Sequence, residues 1–358
     1  MVGTRSYWIA FLALVLAVGC TRTAPTTGSA PASQAPDAVA SFYQGKTVRL
    51  VVGFPPGGGY DTYTRMIARH LGKYIPGNPM VIVENVTGAG SMVAANQVYN
   101  TLPKDGTVVA NIGGPLVLEQ LFKADGVQFD AAKFRYLAVP VRDGYVFVVH
   151  RRAGVTSLDE IMGPTGKQIS LAGVPSSGLE AGALLFKEVL GANIRFVNGY
   201  EGTAPARLAI EGGEVDGFIN SWPSSVKLTN FDDVKDGTWV VLADVNTEPT
   251  KDLPVRAPTL GQIGSTEEQR QLLRLGLLYP NAFGKVYVAA PEVPEARAQA
   301  LEAAFKQAFQ DPELLAEAAA AKLDIDPFFG NDIKKLVVEL LTMPEATRTR
   351  LQAAMRPT

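Results

Sequence analysis

The sequence predicts an α/β protein built from parallel strands and divided between two domains, and three observations carry that reading. One device is written twice in succession. The apolar, β-branched runs 48–53 and 80–83 each empty through glycines, Gly57, Gly58 and Gly59 in the first case and Gly88 and Gly90 in the second, into a run of helical period. Strand, glycine turn and helix form the unit of a parallel sheet. The same alternation resumes beyond Ile169. Finally, 358 residues, 47% of them hydrophobic, suffice for a large core and are long for one domain.

Taken in order, the chain opens on a targeting segment. Arg5 supplies a positive flank, 7–18 is apolar, and Ala17-Val18-Gly19-Cys20 closes the run with small residues before a cysteine, a pattern similar to a bacterial lipobox. The leucine usual three places before that cysteine stands one further back, as Leu16. The run is short for spanning a bilayer. Residues 1–20 are therefore expected to be a lipoprotein signal peptide with Cys20 as the lipidation site, directing the protein outside the cytoplasm. Cys20 is the sole cysteine, so no intrachain disulfide can form. Residues 21–41, rich in Thr, Ala, Pro, Ser and Gly, read as a flexible tether to a membrane.

The globular body is expected from Phe42. Its two glycine turns let backbone N–H groups approach a ligand with no Cβ between. A helix start carries unpaired N–H groups and about half a positive charge, which favours a carboxylate or phosphate. Each turn taken alone is equally consistent with a tight connection; two in neighbouring units favour a ligand, because parallel strands present their carboxyl ends to one crevice. Asp61 is expected to cap the first helix and pair with Arg65.

A helix over 92–99, the turn Pro103-Lys104-Asp105-Gly106 and a strand over 107–112 follow, with a third strand–helix junction at Gly113-Gly114-Pro115. The apolar runs 134–141 and 145–149 mark the crossing into a second domain. There 169–172, 194–197 and 215–220 read as strands, 179–190 and 204–211 as helices, and 239–243 as a further strand before the proline-rich return 249–258. Ser176 and Ser177 occupy one strand-to-helix turn, where capping is the commoner use. Helices over 266–278, 294–309, 331–341 and 346–355 and a strand over 286–290 complete the chain, with no repeat of solenoid length.

Composition and motifs exclude several classes. Thirty-three Lys plus Arg against 35 Asp plus Glu give a net charge of −2, no footprint for nucleic acid. Gly88-Ala89-Gly90-Ser91-Met92-Val93 begins like a dinucleotide fingerprint but places Val93 where a small residue is needed. Residues 163–168 lack the spacing and hydroxyl of a phosphate loop, and neither Ser176 nor Ser177 sits in Gly-x-Ser-x-Gly. His70 and His150, the only histidines, lack metal-ligand spacing, so no metal or cofactor is expected. His70 reads as a solvated helix residue and His150 as a surface neighbour of Arg151 and Arg152. Glu84 and Asp216 are the carboxylates that an acid–base pair would need, and nothing in their spacing brings them together.

Phe54-Pro55-Pro56-Gly57-Gly58-Gly59-Tyr60-Asp61 with Arg65, Glu84-Asn85 leading to Gly88-Ala89-Gly90-Ser91, Pro103-Lys104-Asp105-Gly106, Tyr200-Glu201-Gly202-Thr203-Ala204-Pro205 and Gly212-Gly213-Glu214-Val215-Asp216 occur in that order. Together, over about 47–309, they resemble the extracytoplasmic receptors of tripartite tricarboxylate transporters, also called Bug receptors. The resemblance implies a two-domain, type II periplasmic-binding-protein-like fold with a hinge between lobes. It implies a receptor, not an enzyme, that closes on a small carboxylate, a di- or tricarboxylate or related organic acid, and serves the membrane components of such a transporter. The first domain is expected over 42–139 and 263–358 and the second over 140–262. The ligand-binding residues implied are Phe54, Pro56, Gly57, Gly58, Gly59, Tyr60, Asp61 and Thr62 in one loop and Gly88, Ala89, Gly90 and Ser91 in the other, with Ser176, Ser177, Tyr200 and Asp216 opposite. Val86-Thr87 and Tyr60 depart from the family pattern, where a basic residue with proline and a threonine are frequent; both bear on ligand identity. Neither loop contains Arg or Lys, so neutral donors are expected to hold the anion, with Gly58 and Gly90 equally essential and Arg142 of little weight. The alternative is an α/β enzyme acting on an anionic small molecule through the same loops.

Overall fold

The computed structural model of the protein describes residues 36–356, so Cys20 and most of the expected tether lie outside the described residues. The body begins earlier than expected, with a helix Pro36–Tyr43. Val39, Phe42 and Tyr43, spaced three and one apart, place one face of that helix against the core, which is why the composition of 36–41 misleads.

Among the described residues eleven strands follow in chain order: β1 (Thr47–Val52), β2 (Met80–Asn85), β3 (Val108–Gly113), β4 (Arg135–Val139), β5 (Tyr145–His150), β6 (Ile169–Gly173), β7 (Ile194–Asn198), β8 (Gly217–Ser221), β9 (Trp239–Val245), β10 (Lys285–Ala289) and β11 (Phe328–Phe329). They form two sheets, β11-β4-β10-β3-β1-β2 and β7-β6-β8-β5-β9. As the repeated strand–turn–helix units require, β1 lies parallel to β2 and β3, and β6 parallel to β7 and β8. Each sheet also takes in antiparallel strands where the chain crosses between them. β5 runs against β8 and β9, and β10 against β3 and β4. Five residues separate β4 from β5, too few for a crossover helix, so the strand enters the second sheet without being turned back.

The helix Gly59–Leu71 buries Tyr63, Met66, Ile67 and Leu71 on one stripe against Val48 and Leu50 of β1. Central β3 is buried along its whole length, whereas β2, at the sheet edge, leaves Met80 and Ile82 exposed. The second sheet has its own core, around Phe147, Leu171, Leu185, Phe186 and Ile219. Leu272, Leu273, Leu277 and Leu351 join that core. Segments that the sequence reading assigns to the first domain thus pack on the second sheet, through apolar contacts that linear order does not reveal.

Candidate functional site

The strand ends of both sheets meet at one small cavity. From the first sheet, β1 ends at Val52 and the chain turns through Phe54 into the helix beginning at Gly59. From the second, β6 leads through Ser177 into the helix Gly178–Glu188, β7 through Gly202 into the helix Thr203–Gly212, and β8 into the π-helical turn Trp222–Val226. Phe54, Gly59, Tyr60, Ser177, Gly178, Gly202, Thr203, Asn220, Ser221, Ser224, Ser225, Tyr145 and Lys285 are among the residues that line the cavity. Several helix starts therefore turn their first N–H groups and positive dipole ends toward one place. The volume left is about 20 Å³, room for a water molecule and far less than a dicarboxylate needs.

Glycine is required where the two sides touch. A Cβ on Gly59 would lie 2.2 Å from the Ser224 carbonyl oxygen, and one on Gly90, whose φ is +59°, 2.2 Å from the Pro175 carbonyl oxygen. Gly58 differs: its backbone is extended, and a Cβ there would meet nothing closer than 4.0 Å.

Polar groups around the cavity are held by defined partners. The Tyr60 hydroxyl donates to the Gly284 carbonyl at 2.7 Å and the Tyr145 hydroxyl to Asn281 Oδ1 at 2.7 Å. Burial, with the nearby Asp143 carboxylate adding to it, pushes ionisation of the Tyr60 phenol far above its ordinary range, and burial does the same for Tyr145, so both are neutral donors. Asn220 Nδ2 donates to Ser225 Oγ at 3.0 Å. Lys285, on β10, is the positively charged side chain of the lining and is bonded to the buried carboxylate of Asp143.

Of the residues expected from sequence, Phe54, Gly59, Tyr60 and Ser177 line this cavity. Ser177 Oγ accepts from Leu179 N and donates to the Val174 carbonyl, so it also caps its helix. Pro56 and Gly57 are exposed, and Thr62 returns its hydroxyl to the Gly58 carbonyl. Asp61 does not cap the helix, whose N-cap is Gly58; its carboxylate accepts from Gly57 N, Asn85 Nδ2 and Arg65 Nε, each at 2.9–3.0 Å. Burial works to raise the Asp61 pKa, yet the hydrogen bonds from Arg65, Asn85 and Gly57 hold it below the ordinary carboxylate range. Asp61 is thus a brace for the loop, and the pairing with Arg65 is present.

Gly88, Ala89, Gly90 and Ser91 lie beside the cavity instead of lining it. Gly90 packs against Pro175 and Ser176, and buried Ser91 accepts from Gly113 N at 2.8 Å. Ser176, with φ +56°, donates its N–H to Glu180. Tyr200 extends to Glu214 near the surface, 3.5 Å away. Asp216 precedes β8, at the end away from Asn220 and Ser221, where it accepts from Ser170 N and Oγ at 2.7 Å each. A carboxylate there closes a strand junction and does not reach the cavity. Glu84 pairs with Arg49 on the first sheet, far in the fold from Asp216 on the second. Tyr145, Asp143, Lys285 and the run Asn220-Ser221-Trp222-Pro223-Ser224-Ser225 were not anticipated. The serine run carried a usable signal: it is a strand-to-turn junction like the glycine ones, with hydroxyl donors in place of bare backbone.

The histidines stand elsewhere. His70 is largely buried between Asp311 and Glu317, not solvated as expected, and His150 contacts Arg152. His70, Asp311 and Glu313 bring possible ligand atoms within 4.8 Å of one another, but the Lys73 ammonium already bridges Asp311 and Glu313 at 2.6 and 2.8 Å.

The family described as tripartite tricarboxylate transporter family receptor matches residues 64–343. Protein BugT of Bordetella pertussis is 24% identical over 233 residues, spanning 64% of this chain and 69% of its own. The UPF0065 protein in the gbd 5' region of Cupriavidus necator is 25% identical over 315 residues, 86% of this chain and 88% of its own. Among solved structures, the periplasmic binding protein BugD superposes with a TM-score of 0.66 at 16% identity, covering 87% of this chain and 98% of its own. MatC of Rhodopseudomonas palustris with bound malate gives 0.64 at 18%, covering 87% and 99%. Rpa4515 of R. palustris with adipate gives 0.65 at 19%, covering 87% and 97%. At such identities the structural likeness shows the fold, that of an α/β periplasmic binding protein.

Proposed function

This chain belongs to the tripartite tricarboxylate transporter receptor family, and from that premise we propose that it captures a small organic acid between its two sheets and delivers it, unchanged, to the membrane components of a tripartite transporter. The observation that carries the reading is the convergence of helix starts, hydroxyls and one ammonium on a cavity between the sheets. Such a surface favours an anion. Malate and adipate, bound by two structural neighbours, make short dicarboxylates the first ligands to test. Each sheet with its helices acts as one lobe, and the lobes part to admit the ligand and close on it.

The receptor works outside the cytoplasm. No described helix is long and apolar enough to cross a membrane. We assign its attachment to acylation at Cys20, and Cys20→Ser should leave the membrane fraction.

Calorimetry and thermal melting with malate, adipate and citrate test the binding reading. A ligand at a hundred times its Kd raises stability by about 2.7 kcal/mol through mass action. Consumption of the acid with appearance of a product would transfer the chain to the enzymes; no response to any of the three would remove the carboxylate reading.

A further inference from the structure

The protein buries a complete ion pair at the wall of this cavity. Lys285 opens β10 of the first sheet, Asp143 lies in the segment crossing from β4 to β5, and their side chains are 3% and 1% exposed. Asp143 Oδ1 also accepts from Ser221 Oγ and Ser224 Oγ, each at 2.6 Å. One carboxylate thus gathers an ammonium and two hydroxyls. Those three donors, Lys285, Ser221 and Ser224, also line the cavity.

A pair so completely removed from water is weak evidence of stabilisation, since the desolvation of both charges offsets their attraction, and apolar residues of similar volume frequently serve the fold as well. Its chemistry has a more specific use. An ammonium has three N–H donors, of which Asp143 engages one; the charge also lies 4.9 Å from the centre of the ring of Tyr60, which lines the same cavity. Each serine hydroxyl can turn its single proton from one acceptor to another.

We infer that Lys285, Ser221 and Ser224 form the subsite for a ligand carboxylate, and that Asp143 is an internal carboxylate which positions these donors and neutralises Lys285 while the cavity is empty. The inference rests on the receptor reading above and adds a cation to an anion site whose loops hold none. Two opposite effects follow. Replacing Asp143 by Asn keeps the shape, leaves the ammonium without a counter-charge and removes repulsion of the ligand, so an anion binds more tightly. Removing Lys285 takes away the attraction itself.

Calorimetry with malate, adipate and citrate on the full chain, with melting curves on every variant, tests this. Asp143→Asn should bind the effective acid at least threefold more tightly than the wild type. Because Lys285→Met alone strands a buried carboxylate, the deciding variant is Lys285→Met with Asp143→Asn, which removes both charges. It should melt close to the wild type and bind at least tenfold more weakly. Binding by the double variant within threefold of the wild type, or weaker binding by Asp143→Asn, would show the pair to be a structural tie and overturn the inference while leaving the receptor reading intact. A wild type that binds none of the three acids overturns both.

Discussion

Gly58 and Gly90 stand in corresponding turns, yet their surroundings separate them. Gly90 has φ +59° and its missing Cβ would sit 2.2 Å from the Pro175 carbonyl oxygen across the cleft. A valine there meets the left-handed penalty of about 1–2 kcal/mol and also a direct clash with the opposite side. Gly90→Val should therefore weaken binding of malate, or whichever acid binds, by tenfold or more in calorimetry. Gly58 is the N-cap of its helix in extended conformation with open space around it, a position at which serine is favoured. Gly58→Ser should alter affinity by no more than about twofold, the range of about 0.5 kcal/mol typical of unconstrained sites. Equal losses from the two variants would contradict the geometry. Arg142, exposed, 3.8 Å from Asp326 and stacked near Phe328, offers no charge to the cavity.

Between elements, the notable contact is electrostatic. Glu119, on the helix Leu116–Leu121 that follows β3, has its charging cost raised by Glu180, on the helix Gly178–Glu188 that follows β6. Burial is the main cause that raises both carboxyls above their ordinary range. Arg356 works against it at both, as do Ser176 N and Asn198 at Glu180. The sign follows from linkage: with folded pKa values above the unfolded ones, the native state binds protons more readily, so this contribution is fully present below the usual carboxylate pKa and is lost as pH rises through the folded values. Compared with Glu119→Gln combined with Glu180→Gln, the wild type should lose relative stability between about pH 5 and pH 7. Melting temperatures at both pH values read this directly. A difference that is flat, or of opposite slope, would remove the carboxyls from the pH response.

For the molecule as a whole, the size of the cavity matters more than any single contact. About 20 Å³ between touching loops describes a shut cleft, and an organic acid cannot enter it without its walls moving apart. If each sheet moves as one lobe, ligand-free protein in solution samples opened forms and ligand shifts the population toward the shut one. X-ray scattering should then report a smaller radius of gyration when a binding acid is added at saturation. An unchanged radius, with binding established independently, would locate the opening in the loops alone.

Periodicity and glycine placement determined most of the parallel units, because strand and helix patterns are local: β1, β2, β3, β6, β7 and β8 all stand where apolar runs empty into turns. The places of Phe54, Gly59, Tyr60 and Ser177 in the lining of the cavity follow for the same reason, each belonging to a junction that the sequence marks; their part in binding is the proposal made above. The ordered set of motifs also carried the family. What the chain could not show by itself were contacts between residues distant along it. Asp143 and Lys285 are separated by 142 positions and meet because two crossing strands enter neighbouring places. The family resemblance implies Asp216 as a ligand residue, but strand direction puts it at the end of β8 away from Asn220 and Ser221. Leu351 closes the core of a sheet whose strands end more than a hundred residues earlier. Local sequence sets which elements form; which donors face the ligand depends on how the finished sheets abut, and that is decided by burial summed over the whole fold.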